Sequence, residues 1–296
     1  MRLLSVTYPY GGKNLMERQK IKRGTRRGTR SIDLIRFDSM SEAVAFVCDE
    51  SQRHAKASRS STTKDSRSDQ WDWKMGWDGA LNAAKHGWPE GARRMRKAEG
   101  AAKAAVPPAK SKRIRPTKRG GRLNYTDYRM GKPRMFRKRT NVKHLPAIHL
   151  IVNISASAGV TAEEFTTQGV TVLACAYMLQ KAGYPVEVDI VSRADRGLYS
   201  QEFYIPIKRP GMAFDEDAFA FWIAHPAALR RIGFAIMERS VYLIGKDGYG
   251  SPGIPTEAPK GSFKTPRQYL GEAEADRVRF VLNHLKEQGL GIDLTF

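Results

Sequence analysis

Cysteine is nearly absent. The 296 residues hold two, Cys48 and Cys175, too few for a disulfide framework, and both are read as plain buried thiols in a reducing compartment. Long apolar runs are missing as well. No stretch of ~18–20 residues is apolar enough to span a bilayer, and the N-terminus has no signal-like run, so no membrane partner is expected. Several catalytic signatures are lacking. There is no Cys-x-x-Cys, no His-Glu-x-x-His, no phosphate-binding Gly-x-x-x-x-Gly-Lys-Ser/Thr and no Gly-x-Ser-x-Gly elbow. The six histidines, His54, His86, His144, His149, His225 and His284, show no metal-ligand spacing, so a zinc site is not expected. Acidic residues are scarce too: 30 Asp and Glu face 51 Lys and Arg, for a net charge of +21.

That surplus is one-sided. Residues 1–144 carry 36 Lys and Arg against 13 acids, whereas residues 145–296 carry 15 against 17. The division predicts basic appendages attached to a near-neutral globular domain. Four parts are expected: a basic N-terminal arm (1–36), a Trp-rich helical module (37–100), a basic Pro/Gly-rich arm (101–144) and an α/β domain (145–296). The run Lys20–Arg30 is Gly- and Thr-interrupted and is expected to be disordered when free. The second run, Lys103–Lys143, has 15 basic residues with Asp127 as its one acid, and its prolines and glycines read as an extended arm.

This pattern suits a polyanion. Arg113, Arg115, Lys118, Arg119, Arg137, Lys138 and Arg139 are the expected phosphate contacts, and Tyr125, Tyr128 and Phe136 supply rings on which bases could stack. The bland reading, a solubilising tract or one that docks on an acidic protein, fits the same charges. In the module before it, Ser39 and Glu42 fit a helix capping box. Trp71, Trp73, Trp77 and Trp88 are read as core because each ring buries so much area. Arg93, Arg94, Arg96 and Lys97 suit phosphate contacts or a solvated helix face equally.

The C-terminal half alternates strand and helix patterns. Strands are expected at 149–155, 186–191, 203–207, 241–244 and 292–296, and helices at 163–182, 216–224, 226–238 and 266–288. Pro206 suggests an edge strand. The order implies an α/β fold, a mostly parallel doubly wound sheet with helices on both faces, and ligands then gather at the carboxyl ends of the central strands.

The first of those strands ends Asn153-Ile-Ser155-Ala-Ser157, and Asp247-Gly follows the strand expected at 241–244. This resembles a von Willebrand factor type A domain over roughly residues 146–296. The resemblance implies that Ser155, Ser157 and Asp247 match the ligands of that family's Mg2+ site, with Asn153 standing where the family has Asp and so removing one charge from a site that wants anionic oxygen. Mg2+ is the one cofactor it implies; none is otherwise expected. The Trp/Gly segment Gly76–Gly91 joined to the strand–helix unit Ile151–Val191 also resembles uncharacterised proteins of bacteriophages and mobile elements. That resemblance implies a bacterial cytoplasm or a virion as the setting.

The reading taken from the sequence is a nucleic-acid-binding accessory or structural protein that grips phosphates through its basic arms, with the α/β domain as a surface for another protein. A von Willebrand type A-like protein-interaction module with a degenerate metal site is the competitor. A metal-dependent nuclease using Asp189, Asp215, Asp217 and Asp247 is the third reading. No reaction is assigned by the sequence.

Overall fold

The computed structural model describes residues 17–25, 28–53, 61–62, 72–102, 114–119, 122–139, 147–157, 159–240, 249, 251–255, 262–264 and 274–289. The expected strands at 241–244 and 292–296, Trp71, Arg113 and Asp247 lie outside these residues.

The chain opens with a hairpin, β1 (Glu17–Thr25) and β2 (Gly28–Arg36). Helix α1 (Met40–Cys48) follows, then α2 (Gly76–His86) and α3 (Pro89–Ala102). Next come β3 (Ile114–Thr117), β4 (Arg122–Leu123), the short helix α4 (Tyr125–Arg129) and β5 (Phe136–Arg139). The C-terminal half holds β6 (Ile148–Asn153), α5 (Ala162–Lys181), β7 (Val186–Arg196), β8 (Tyr199–Lys208), α6 (Glu216–Ala224), a π-helical stretch Ala228–Gly233 running into α7 (Phe234–Met237), β9 (Ser251–Pro252), β10 (Ser262–Lys264) and α8 (Glu274–Glu287).

The protein is a mixed α/β structure built on an open mixed sheet in the order β1-β2-β8-β7-β6-β10, with β9 on β7. β2 runs parallel to β8 and β6 runs parallel to both β7 and β10, while β1/β2, β7/β8 and β7/β9 are antiparallel. The hairpin that composition marks as a disordered arm is thus the sheet's edge. Its apolar residues explain this: Ile32, Leu34 and Ile35 are buried, and pairing of β2 along β8 outweighs the weak local propensity. Exposed Lys20 and Lys22 on edge strand β1 discourage further strand addition.

Pro206 belongs to β8, which has a partner on each side rather than an edge position. The register explains how proline is tolerated there. β2 reaches only as far as Tyr204, so Pro206 lies past its end, and a bulge at Val188/Asp189 faces it on β7.

One apolar core lies between the sheet and the helices. Ile148, Leu150 and Val152 of β6 and Phe203, Ile205 and Ile207 of β8 meet residues from α1, α2, α3, α5, α6, α7 and α8 in a single cluster. The described tryptophans belong to it: Trp88 is buried, Trp73 and Trp77 pack against the cluster, and Trp222 is fully enclosed with its Nε1 donating to the Ala84 carbonyl at 3.3 Å. The opposite face of the sheet carries a smaller cluster of Leu34, Ile151, Val191 and Tyr204, with Ile21 against it. Among the described residues no helix contributes to that second cluster. Cys175 is buried, with its thiol pushed up by burial, whereas Cys48 is exposed and departs from the expectation of two buried thiols.

Local signals set the helix ends. Ser39 accepts from the Glu42 N–H at 3.1 Å, as the capping box expects, although the Glu42 carboxylate reaches the Asp38 N–H instead of Ser39. Thr161 and Glu164 close a full capping box on α5. α5 and α6 cross tightly at Gly169, where an added Cβ would stand 2.3 Å from the Ala224 Cα. No helix among the described residues is long and apolar enough to cross a membrane.

Candidate functional sites

The described part of the second basic segment, 114–119 and 122–139, is folded. β3, β5 and β4 form a three-stranded antiparallel sheet with α4 in the β4–β5 connection. Its register sets Arg115 opposite Lys138 and Arg122 opposite Arg137. Residues 114–139 contain ten Lys and Arg and one acid, Asp127. That acid is buried and committed inward: the Lys132 ammonium lies 3.1 Å from Oδ1 and the Asn124 amide donates to Oδ2 at 2.8 Å. The same Asn124 caps α4 by accepting from the Thr126 N–H.

Lys118, Arg119, Arg122, Arg129 and Arg134 are exposed, and among the described residues no ion pair ties them to a carboxylate. Tyr125 is 72% exposed and Tyr128 55% exposed, their rings 6.4 Å apart edge to face. Phe136 is half-buried on β5. Of the expected contact residues, Lys118, Arg119, Tyr125, Tyr128 and Phe136 therefore share one small sheet-and-helix unit, and Arg115, Arg137, Lys138 and Arg139 are placed in it by strand register.

The helical cations have a different fate. Arg93 bonds Glu90, Arg94 lies 3.1 Å from Glu163 with its guanidinium over the Trp73 ring, and Arg96 bonds Glu216. These pairs hold α3 to its own surface and to α5 and α6.

A second site lies where the topology of open sheets expects one. β6 stops at Asn153 while β7 runs on, and β9 takes up pairing with β7 at Ala194 and Asp195. The gap opens a cleft of about 260 Å3 lined by Asn153, Ser155, Ser157 and Gln168 among apolar residues such as Phe165 and Ile223. The Ser155 hydroxyl is buried and clamps the end of β6 to β7, donating to the Arg193 carbonyl at 3.1 Å and accepting from the Arg193 N–H at 2.8 Å. Asn153 Oδ1 accepts from the Ser155 N–H at 3.0 Å, and its amide donates to the Gly253 carbonyl at 3.4 Å. Ser157 is exposed at the mouth.

Of the carboxylates suggested for a nuclease, Asp247 lies outside the described residues and Asp189 and Asp215 bind different partners. Asp215 caps α6 by accepting from the Ala218 N–H at 3.0 Å. The Asp217 backbone carbonyl accepts from the Trp88 N–H, against Gly87, whose φ of 87° only glycine adopts readily.

Asp189 has partners that spacing along the chain does not reveal. Register places His149 of β6 beside Glu187 of β7. His149 Nε2 lies 2.9 Å from Asp189 Oδ2, and the Arg209 Nη1 bridges Glu187 at 2.7 Å and Asp189 at 2.5 Å. Burial alone would raise the Asp189 carboxyl, but hydrogen bonds from His149 and Arg209 and their charges hold it below the usual carboxylate range.

His225 is enclosed by Trp73, Trp88 and Phe221. Its Nδ1 accepts from the Ala227 N–H at 3.1 Å, and burial, reinforced by the Arg94 charge, pushes its pKa down to about 4. It is a neutral core histidine.

No curated protein and no solved structure matches the chain. The hairpin from Gln19 onward, the Trp-bearing helices, the small basic sheet and the cleft fall within residues 19–292, which match the family model of a domain of unknown function (DUF7192), and the chain belongs to that family.

Proposed function

We propose that the protein binds nucleic acid through the small basic sheet of residues 114–139, preferring single strands to duplex. One observation carries this reading: ten cations share the unit with one carboxylate, and that carboxylate is buried and bound by Lys132 and Asn124. Lys118, Arg119, Arg122, Arg129 and Arg134 are exposed and have no ion pair among the described residues, whereas the arginines of α3 are paired with carboxylates. Phosphates are the complementary partner, and release of their condensed counterions makes the interaction favourable and salt-sensitive. The two exposed tyrosines favour single strands, since bases in a duplex are already stacked.

The test is a titration of fluorescein-labelled oligo-U, single-stranded DNA and duplex DNA against the full chain at 50–300 mM salt. The reading expects binding at low salt, tighter for the single strands and falling linearly on a log–log plot. Absence of binding to all three at 50 mM salt would refute it. The setting in a bacteriophage or mobile element, in a bacterial cytoplasm or a virion, rests on the sequence resemblance.

A second reading, a von Willebrand type A-like interaction module, is supported by the antiparallel β7–β8 hairpin that follows α5 and by the cleft at the Asn153–Ser157 turn. It expects Mg2+ to raise the melting temperature and Ser157→Ala to cancel the rise. An identical melting temperature with and without Mg2+ would remove it.

A further inference from the structure

The geometry points to a transition-metal site at His149, Glu187 and Asp189, with Arg209 as a built-in competitor for it. This inference does not rest on nucleic-acid binding. The three side chains offer one imidazole nitrogen and two carboxylate oxygens, all within 4.8 Å of one another. Ligands ~2.0 Å from a tetrahedral ion sit about 3.3 Å apart, so small side-chain movements close the set. Two strands paired in register carry it, His149 opposite Glu187, which gives a stiffer base than a loop would.

Two further observations point to a cation. A single nitrogen, Arg209 Nη1, already occupies the position between the two carboxylates, at 2.7 and 2.5 Å. In addition, the other ring nitrogen of His149, Nδ1, lies 3.2 Å from the Ser262 hydroxyl on β10. In the ion pair Nε2 carries the proton it donates to Asp189; an arriving metal ion displaces that proton, and a proton on Nδ1 directed at Ser262 then holds the ring as outer-sphere partners hold histidine ligands in metal sites. Ser262 is partly buried.

The donor set selects the ion. Imidazole nitrogen with two carboxylates suits first-row dications such as Zn2+ or Co2+ better than Mg2+ or Ca2+, which prefer oxygen alone. Arg209 is the most exposed member of the group, its side chain 44% exposed against 13% for Asp189. It follows directly on β8 and enters the turn closed by Met212 N–H donating to its carbonyl, so its side chain can leave without disturbing a strand. Metal binding and the Arg209 ion pairs are then mutually exclusive, and affinity is set by the difference between them.

The test is isothermal titration of the full chain with Zn2+, and with Co2+ followed by its visible absorption, in chelator-stripped buffer. Expected results are one ion per chain, Co2+ bands without the intense near-ultraviolet absorption of thiolate ligation, and at least tenfold weaker binding in His149→Ala and in Glu187→Gln. Arg209→Ala should bind at least tenfold more tightly, a gain that a purely structural ion-pair network would not give. Circular dichroism checks that each variant is folded, and Glu187→Gln, the more exposed of the two ligand changes, serves if His149→Ala fails to fold. Absence of Zn2+ binding to Arg209→Ala, or equal affinity in wild type and Glu187→Gln, would overturn the assignment.

Discussion

The two basic segments look alike in the sequence and do different work in the fold. In the hairpin, Arg30 lies 3.0 Å from Asp195 and the Arg36 guanidinium lies 4.4 Å from the centre of the Tyr204 ring. Ile32, Leu34 and Ile35 are buried between them. In the small sheet the one acid is buried, Tyr125 and Tyr128 face outward, and cations oppose cations across the strands. Charge density alone therefore does not mark a binding surface. What separates the two is whether the rest of the chain supplies counter-charges and an apolar face for the segment to pack on. The hairpin has an apolar face and, at Arg30, a counter-charge. α3 resembles the hairpin in this respect, since Arg94 pairs with Glu163 and covers Trp73.

Variants can sharpen that contrast. The largest effect is expected from Ile35→Ala, which opens a cavity at a fully buried strand position and should cost about 2–5 kcal/mol in urea unfolding. An unchanged midpoint would show that the hairpin is an appendage after all. Next comes acid. The folded pKa of His225, about 4, lies below the unfolded value of ~6.5. The unfolded chain therefore takes up more protons in that window, and stability present above pH ~6.5 is lost as the pH falls towards 4, by roughly 3 kcal/mol. His225→Gln, which keeps an acceptor for the Ala227 N–H, should flatten that part of the profile, and an equal pH dependence in both proteins would contradict the assignment.

Tyr125→Ala is expected to weaken single-strand binding by about 1–3 kcal/mol and duplex binding by much less, measured by anisotropy; equal losses on both would deny the ring a stacking role. The smallest effect is expected from Arg30→Ala. Its ion pair with Asp195 is about a quarter exposed on each side, so unfolding should register ~0.5–1 kcal/mol, with polynucleotide affinity unchanged.

Much of the fold was legible because its signals are local. The β-branched run of β6, the 3.6-residue period and glycine stop of α5, and the alternation of β7 and β8 can all be read without knowing what packs on them. The hairpin was not legible, because its pairing with β8 joins residues about 170 positions apart and no local pattern announces it. Gly/Thr interruption and charge suggested disorder where a partner strand imposes order. Nor did the sequence indicate that the Trp-bearing helices share a core with the α/β half, since that depends on contacts such as Trp222 with Ala84.

The candidate sites divide in the same way. Lys118, Arg119, Tyr125, Tyr128 and Phe136 are close in sequence and fold into one unit, so composition found them. His149, Glu187, Asp189 and Arg209 come together only through strand register and the turn after β8, and the absence of a ligand spacing concealed them. Ser155 was visible as a hydroxyl at a strand end, but its bonds to Arg193 depend on how far β7 outruns β6.

The central claim is that the small sheet, and not the hairpin, meets the polyanion. It is tested most directly by the salt dependence of oligo-U binding in two variants. Replacing Lys118, Arg119, Arg122 and Arg129 together by Ala should flatten the log–log slope by up to about 3, since each lost phosphate contact on a single strand contributes ~0.7. Replacing Lys20 and Lys22 should leave the slope where it was. A slope that the fourfold variant does not change, or one that the hairpin variant flattens equally, would contradict the account.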